Sequence, residues 1–213
     1  MNEFTLERNR KLAGKVIAGL KSRNMQGFFA ETKEEALQKA LELIPEGSSV
    51  TWGGTLSISE IGLKDAVSRG NYTVYDRDLE KTPEGKEAVM RKAYTCDYYL
   101  ASTNAITEDG MLVNMDRNSN RVSSLAYGPA HVILIVGMNK VRKDLEDALA
   151  RVRNVAAPIN AQRFEGARTP CRVNGACANC KSPDTLCCNL LITRYSRDPE
   201  RMKVILVNEE LGF

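Results

Sequence analysis

The stretch VILIVGMNK, residues 132–140, decides the fold. It opens with five consecutive apolar residues, and Gly137 closes the run. A continuous apolar run of this length is typical of a strand that is covered on both faces in a parallel sheet, whereas a strand with one solvated face alternates. A helical pattern follows, with Leu145, Leu149 and Val152 at helical spacing. The stretch therefore predicts a parallel sheet with helices packed against it.

Strands and helices alternate along most of the chain. Thr32 and Glu35 form a capping box in front of one helix, and Thr82 with Pro83 opens another. This alternation predicts an α/β fold with a mostly parallel sheet flanked by helices. Further helices are predicted at residues 6–20 and 57–63, and further strands at residues 27–30, 49–52, 72–75, 97–101, 190–193 and 204–207.

The composition argues against several functional classes. The net charge of +3 comes from interleaved acids and bases, which is too weak an asymmetry to indicate nucleic-acid binding. The charged start, MNEFTLERNRKLAGKV, lacks the apolar core of a signal peptide, and no apolar run approaches the roughly 20 residues that a membrane-spanning helix needs. We therefore expect a cytoplasmic protein with no membrane span. We also expect one domain over residues 1–213, with a cysteine-rich segment at 169–189.

A pair of glycines follows the predicted strand at 49–52. Gly53, Gly54 and Thr55 lead into a short helix that contains Glu60. Glycines allow backbone N–H groups to approach a ligand closely, and the start of a helix favours anions. The segment predicts a site for a phosphate, a carboxylate or a nucleotide, with a tight structural turn as the alternative. Neither the dinucleotide fingerprint nor the P-loop spacing is present.

Two other strands are followed by polar residues. In parallel α/β sheets, ligands bind beyond the carboxyl ends of the strands, so these residues are candidates for the same site. Asp109-Gly110 also fits the turn of a β-hairpin, and both interpretations can hold together. His131, the one histidine, lies at the start of its strand and is interpreted as structural. The candidates are Ser102, Thr103, Asn104, Asp109, Asn114 and Asp116 after the first strand, and Gly137, Asn139 and Lys140 after the second.

The segment CRVNGACANCKSPDTLCC, residues 171–188, holds five of the six cysteines. Thiols in the cytosol are normally reduced, so the cluster indicates metal or redox chemistry before disulfides. Cys177 and Cys180 form a C-x-x-C knuckle, but the remaining spacing matches neither a zinc ribbon nor a ferredoxin, so zinc and an iron–sulfur cluster both stay open. The alternative is reduced cysteines packed as small apolar groups. The predicted metal ligands are Cys171, Cys177, Cys180 and Cys187, with Cys96 and Cys188 outside the set.

Several of these segments together resemble the lactate-utilisation, or LUD-domain, family of bacterial proteins. The most specific are STNAITEDGMLVNMD at 102–116, VILIVGMNKV at 132–141 and the cysteine segment after Thr169-Pro170; Asn120-Arg121, Gly128-Pro129 and residues 204–212 agree as well. The cysteine segment looks like that of compact, stand-alone members. The resemblance implies a fold similar to the sugar-phosphate isomerase and coenzyme A transferase class. It also implies an association with the oxidation of L-lactate to pyruvate, alongside iron–sulfur partner proteins.

Three functions follow from these observations. The first is a subunit of a lactate-oxidising system that binds a small anionic ligand or cofactor, with oligomers allowed. The second is a stand-alone isomerase or transferase for a phosphorylated or coenzyme A-linked substrate, with Glu60 or Asp109 as general base and Lys140 acting nearby. The third is a non-enzymatic metal-binding partner module. We expect Gly53, Gly54, Thr55, Ser102, Asn104, Asp109, Asn114 and Lys140 to converge in one pocket.

Overall fold

The computed structural model describes residues 1–213, which form ten strands and nine α-helices. The strands are β1 (Gln26–Ala30), β2 (Ser49–Trp52), β3 (Thr73–Tyr75), β4 (Tyr98–Ala101), β5 (Ala105–Thr107), β6 (Leu112–Asp116), β7 (His131–Gly137), β8 (Val141–Arg142), β9 (Asn189–Thr193) and β10 (Met202–Val207). The helices are α1 (Glu3–Ser22), α2 (Lys33–Glu42), α3 (Ser57–Glu60), α4 (Leu63–Arg69), α5 (Pro83–Lys92), α6 (Asn120–Ala126), α7 (Leu145–Arg151), α8 (Ala157–Ala161) and α9 (Pro170–Asn174).

The main sheet has six strands in the order β1-β10-β7-β4-β2-β3, and every neighbouring pair is parallel. Strand β7 lies between β10 and β4, with Leu134 opposite both Val204 and Ala101. All carboxyl ends therefore meet at one edge of the sheet. The predicted α/β class with a parallel sheet flanked by helices is confirmed.

Helices cover both faces of strand β7, which explains its unbroken apolar run. Val132, Leu134 and Val136 face a core that includes residues of α1, whereas Ile133 and Ile135 face a second core that includes residues of α2. All five side chains are fully buried. Burying an aliphatic side chain of this size contributes about 1.5–3 kcal/mol, so both faces favour apolar residues at every position.

The predicted helix starts carry capping residues. Thr32 accepts a hydrogen bond from the Glu35 amide over 3.3 Å at the start of α2, and Thr82 accepts one from the Gly85 amide over 3.0 Å at the start of α5. These bonds satisfy backbone donors that have no partner within the helix. None of the helices combines the length and the apolar character required to cross a membrane.

A smaller sheet in the order β8-β5-β6-β9 departs from simple alternation. Strands β5 and β6 form an antiparallel hairpin, and the residues predicted as a strand at 190–193 pair with β6 instead of joining the main sheet. Gly110 adopts φ +87° in the hairpin turn. The predicted helix at 57–63 is divided into α3 and α4, because Gly62 between them adopts φ +75°, a left-handed conformation that interrupts a helix.

Candidate functional site

A cavity of about 410 Å³ lies at the carboxyl edge of the main sheet. Its wall includes residues that directly follow β2, β3, β4 and β7, as expected for a ligand site in a parallel α/β sheet. Residues of α5, β6 and α6, the segment after α8, Leu186 and the chain after β10 also contribute to the wall. The predicted residues that line it are Gly54, Thr55, Ser102, Thr103, Asn104, Asp116 and Lys140.

Lys140 is the most deeply buried charged group in the cavity wall, with 3% of its surface exposed. It ends a single 3-10 turn after β7, and its Nζ donates hydrogen bonds to Ser102 Oγ over 3.0 Å and Ser57 Oγ over 3.1 Å. Burial, together with the positive charges of Arg151 and Arg121, lowers the pKa of Lys140 to about 7 against the opposing effect of Glu60. A large fraction of this amine is therefore uncharged at neutral pH.

Arg121, at the start of α6, provides a second cation in the wall. Its guanidinium donates to Asn114 Oδ1 over 2.5 Å, to Asn104 Oδ1 over 3.2 Å and to the Met115 carbonyl over 2.6 Å. The Asp116 carboxylate accepts hydrogen bonds from the Arg121 amide over 2.9 Å and from the next amide. Burial lowers the pKa of Arg121, although Asp116 opposes the shift. The predicted Asn104, Asn114 and Asp116 therefore hold Arg121 in place.

Further basic side chains surround the cavity. The Arg117 guanidinium lies over the Phe164 ring, 5.5 Å from its centroid, and Arg163 Nη1 contacts an asparagine oxygen over 3.3 Å. The wall contains only two side-chain carboxylates: Asp78 pairs with Lys64 and Asp116 caps α6. The cavity is therefore rich in positive charge. The basic residues of the wall are Arg77, Lys86, Arg117, Arg121, Lys140 and Arg163.

The glycine loop approaches the same space. A methyl group on Gly54 would lie 2.9 Å from Arg77 Nη2, and one on Gly53 would lie 2.7 Å from Tyr99 Oη. The Gly53 amide donates to the Leu100 carbonyl, whereas the amides of Gly54, Thr55 and Leu56 make no hydrogen bond within the chain. The loop therefore serves as a close-fitting turn and also presents free backbone donors to the cavity.

Other predicted site residues lie outside the cavity. Asp109 occupies the β5–β6 turn, where it pairs with Arg23, the residue after α1, and accepts a hydrogen bond from Thr107. Burial raises the pKa of Asp109, but the hydrogen bonds from Thr107 and Arg23 outweigh this effect and leave it below its ordinary value. The expectation that Asp109 shares the pocket is not met, because the β5–β6 turn packs against Gly19 and Leu20 near the end of α1.

The remaining predicted residues lie outside the cavity wall and contact the chain segments that form it. Glu60 Oε2 accepts a hydrogen bond from the Gly212 amide over 2.7 Å, and Asn139 Oδ1 accepts one from the Leu211 amide over 3.2 Å. A side chain on Gly137 would collide with Asn139 Oδ1 at 2.4 Å. Gly53 and Asn114 lie behind the residues that line the wall. These contacts hold the chain segment after β10 over Lys140, with Gly212 and the next residue in the cavity wall.

Several cavity residues were not singled out from the sequence. Ser57 and Arg77 follow β2 and β3 at the same edge of the sheet, so the rule that identified Lys140 applies to them too. Arg163 and Phe164 had no such signal, because a π-helical turn at Val152–Ala156 joins α7 to α8 and extends the helical run to the cavity.

The cysteine segment begins in α9 and continues irregularly to β9. Asn179 adopts φ +50°, and its amide donates to Cys177 Sγ over 3.5 Å, so residues 177–180 form a folded knuckle. Burial, together with the other four cysteines of the segment, raises the pKa of Cys187 to about 11. No three thiols lie close enough together to share one ion. Leu186 lines the cavity, which makes this segment its neighbour.

Cys96 is separate from this segment. It is buried beside β4, and burial raises its pKa to about 11. It therefore packs as part of the core.

Comparisons with known proteins identify a family and a similar solved structure. A family model for the LUD domain matches residues 13–207. The crystal structure of a DUF162 family protein from Deinococcus radiodurans is similar over 95% of this chain and 98% of that chain, with a TM-score of 0.52 and 12% sequence identity. At that identity the likeness shows the fold alone. No curated protein matches the sequence. Since the family model spans most of the sequence, the chain belongs to the LUD domain family.

Proposed function

We propose that the cavity binds a small organic anion or the phosphate of a cofactor, and that the chain acts as a subunit in the oxidation of L-lactate to pyruvate. The family is associated with lactate utilisation, which supports the choice of a 2-hydroxy acid or its 2-oxo product. The observation that carries the proposal is the positive charge of the cavity wall. The wall has six basic side chains and two side-chain carboxylates, and each carboxylate already has a partner within the chain.

The two buried basic groups, Arg121 and Lys140, would gain the most free energy from a bound anion, which would also favour the charged form of Lys140. Arg121 donates to three neutral oxygen atoms, and Lys140 donates to two hydroxyl groups. A partly desolvated cation without a carboxylate partner is costly, and a bound anion would relieve that cost. The exposed basic residues at the rim would add attraction over a longer range. A carboxylate or phosphate is therefore the ligand type that the wall best complements.

Calorimetric titration tests the binding step, with L-lactate, pyruvate and inorganic phosphate as separate probes. Arg77→Gln should weaken the binding of any probe that binds, since Arg77 lines the cavity beside Gly54. Arg69→Gln is the matched control, because Arg69 is exposed at the end of α4. Equal affinity in both variants, or no binding of any probe by the unmodified chain, would contradict the proposal.

Reconstitution tests the subunit role. We expect the purified chain alone to leave L-lactate unoxidised in the presence of a dye acceptor, because the proposed role is that of one subunit in a system that also contains iron–sulfur partner proteins. Addition of iron–sulfur partner proteins from a lactate-oxidising system should produce turnover that depends on this chain. Turnover by the partner proteins without any stimulation by the chain would rule out the subunit role.

The cysteine segment favours a second role as a metal-binding module beside the cavity. The amide-to-sulfur bond of the knuckle is a feature that supports thiolate binding, and four thiolates suit zinc or an iron–sulfur cluster. Cys171, Cys177, Cys180 and Cys187 would hold the ion after the segment closes around it. An iron–sulfur cluster would supply one-electron transfer next to the anion site.

Metal analysis and visible absorption of anaerobically purified protein test this role. We expect near-stoichiometric zinc or iron in the unmodified chain and its loss in Cys180→Ser. Cys188→Ser is the matched control, since Cys188 is an exposed thiol of the same segment outside the predicted set. No bound metal in the unmodified chain, or equal metal content in both variants, would remove the cysteine segment from the proposal.

A stand-alone isomerase or transferase is the alternative. The observation that favours it is the buried amine of Lys140 in the cavity, since Asp109 lies elsewhere and Glu60 bonds the Gly212 amide. Turnover of a phosphorylated or coenzyme A-linked substrate by the chain alone would favour this alternative over the subunit role.

A further inference from the structure

We propose that Ser102 is a nucleophile activated by Lys140 for acyl transfer, with an anionic acyl ester or thioester as the substrate class. The geometry that carries this inference is a three-residue centre in the cavity wall. Lys140 Nζ lies 3.0 Å from Ser102 Oγ and 3.1 Å from Ser57 Oγ, and the two hydroxyl oxygens are 3.5 Å apart. A serine paired with a lysine base is a known variant of the serine nucleophile.

Three separate elements supply this centre, which makes it a product of the tertiary fold. Ser57 begins α3, Ser102 follows β4, and Lys140 follows β7. All three side chains are buried, with exposed fractions of 0%, 4% and 3%, yet each lines the cavity. Lys140 is buried and its hydrogen bonds go only to hydroxyl groups, so an ion pair does not explain its position. A general base for a hydroxyl proton is the role that these partners fit.

The two serines differ in what covers them. A methyl group on Gly212 would lie 3.0 Å from Ser57 Oγ, so the segment after β10 packs against that hydroxyl. Ser102 directly follows β4, one of the two central strands of the main sheet. It therefore lies at the carboxyl edge, where ligands bind to parallel α/β sheets. Ser102 is therefore assigned as the nucleophile. Ser57 is a positioning residue that holds the lysine amine.

The reaction proceeds in two balanced steps. The free amine of Lys140 takes the proton from Ser102 Oγ while that oxygen forms a bond to the acyl carbon. The bond from the acyl carbon to the leaving oxygen or sulfur then breaks, and the leaving group takes the proton from Nζ. In the second step water loses a proton to Nζ and attacks the acyl carbon. The bond from that carbon to Ser102 Oγ then breaks and Nζ returns its proton to Oγ, which releases the acid and restores the Ser102 hydroxyl. The free amides of Thr55 and Leu56 in the cavity wall are donors for the developing oxyanion.

The charged groups around Lys140 favour its uncharged, basic form. Arg151 of α7 and Arg121 of α6 repel a proton on Nζ, whereas Glu60 of α3 attracts one, and burial is the largest effect. The pKa of about 7 that results suits a general base at neutral pH. The rate of acylation should therefore rise with pH and level off above about 7. The basic cavity selects an acyl group that carries a carboxylate or a phosphate, and this choice of substrate rests on the proposed function.

Labelling with a fluorophosphonate tests the nucleophile. Intact mass and peptide sequencing should find one label for each chain, attached to Ser102. Lys140→Met should slow labelling at least about 100-fold, as expected for loss of a general base, and Ser102→Ala should abolish it. Ser68→Ala is the matched control, because Ser68 is an exposed serine on α4 that bonds only a backbone carbonyl. Absence of labelling, or labelling of another residue, would overturn the inference.

Ser57→Ala tests the positioning role. Labelling should slow, and the midpoint of its pH profile should move, because the amine loses a hydrogen-bond partner; Ser57→Thr should restore both. A slower rate with an unchanged midpoint would assign Ser57 a purely structural role and overturn this part. If Ser102→Ala fails to fold, alkylation of Ser102→Cys replaces it, with rapid and Lys140-dependent modification expected. The probe carries no carboxylate, so failure of labelling is distinguishable from failure of anion binding.

Discussion

Lys140 and Asp109 occupy similar positions in the sequence but different regions of the molecule. Each is a charged residue in a polar segment next to a strand. Lys140 follows β7 of the main sheet and lines the cavity, whereas Asp109 lies in the β5–β6 turn of the smaller sheet and pairs with Arg23, the residue after α1. The difference shows that a position next to a strand does not by itself place a polar residue in the site. Asp116, at the end of β6 in the smaller sheet, lines the cavity, whereas Asp109 in the turn before β6 does not. The turn of the β5–β6 hairpin lies outside the cavity.

The largest loss of stability is expected for Gly110→Ala, which tests how closely the turn of the hairpin packs against α1. Gly110 adopts φ +87°, and a methyl group there would lie 2.5 Å from the Leu20 backbone nitrogen. Strain and overlap together should lower the free energy of unfolding by about 2–4 kcal/mol. Gly166→Ala is the control, because Gly166 has φ +83° with open space around it, so a cost of only about 1 kcal/mol is expected. Urea denaturation measures both, and equal losses would contradict the close packing of the hairpin against α1.

Lys140→Met tests whether the buried amine of Lys140 contributes to anion binding. Loss of the buried amine should weaken binding of inorganic phosphate or pyruvate at least about tenfold, which corresponds to about 1.4 kcal/mol. The fold should tolerate the change, since methionine fills a similar volume and removes a group that is costly to charge. Calorimetric titration gives the affinity, and unchanged affinity would place the anion away from Lys140.

The pH dependence of stability should separate Lys140 from exposed lysines. Its pKa falls from 10.5 to about 7 on folding. Between these two values the unfolded chain binds a proton that the folded amine does not, so this group makes stability rise with pH in that window. Below about 7 the contribution is constant. Urea denaturation at pH 7 and pH 9 should therefore give a flatter dependence in Lys140→Met than in the unmodified chain, and identical slopes would show that the amine is not buried.

Asp109→Asn should have the smallest effect. The Asp109 carboxylate is more than half exposed, and an exposed ion pair contributes about 0–1 kcal/mol. We expect a loss of stability within that range and no change in anion affinity. A marked fall in anion affinity would show that the hairpin turn takes part in the site after all.

The main features of the fold were predictable because their causes are local. Five apolar residues in a row indicated that β7 is covered on both faces, and capping residues marked the starts of α2 and α5. The β5–β6 hairpin was predicted from Asp109-Gly110, but the rest of the smaller sheet was not, because the pairing of β9 with β6 joins residues far apart in sequence. The periodicity of either strand carries no information about its partner.

The candidate site was predictable to the extent that its residues follow strands of the main sheet. Gly54, Ser102 and Lys140 were identified in this way. Arg163 was missed because only the path of the chain after α7 brings it to the cavity. The knuckle at 177–180 was visible from spacing alone, but how the other cysteines approach it depends on an irregular segment.

The position of β10 within the main sheet has a consequence for how the chain is made. This strand lies between β1 and β7, and Phe28 of β1 pairs with Ile205 across a separation of most of the sequence. A ribosome therefore releases β1 and β7 long before their shared neighbour emerges, and both expose unpaired edges until then. Such edges attract other chains. Slow synthesis or premature termination before Met202 should thus favour aggregation, and chaperones that cover nascent strands should raise the yield of folded protein.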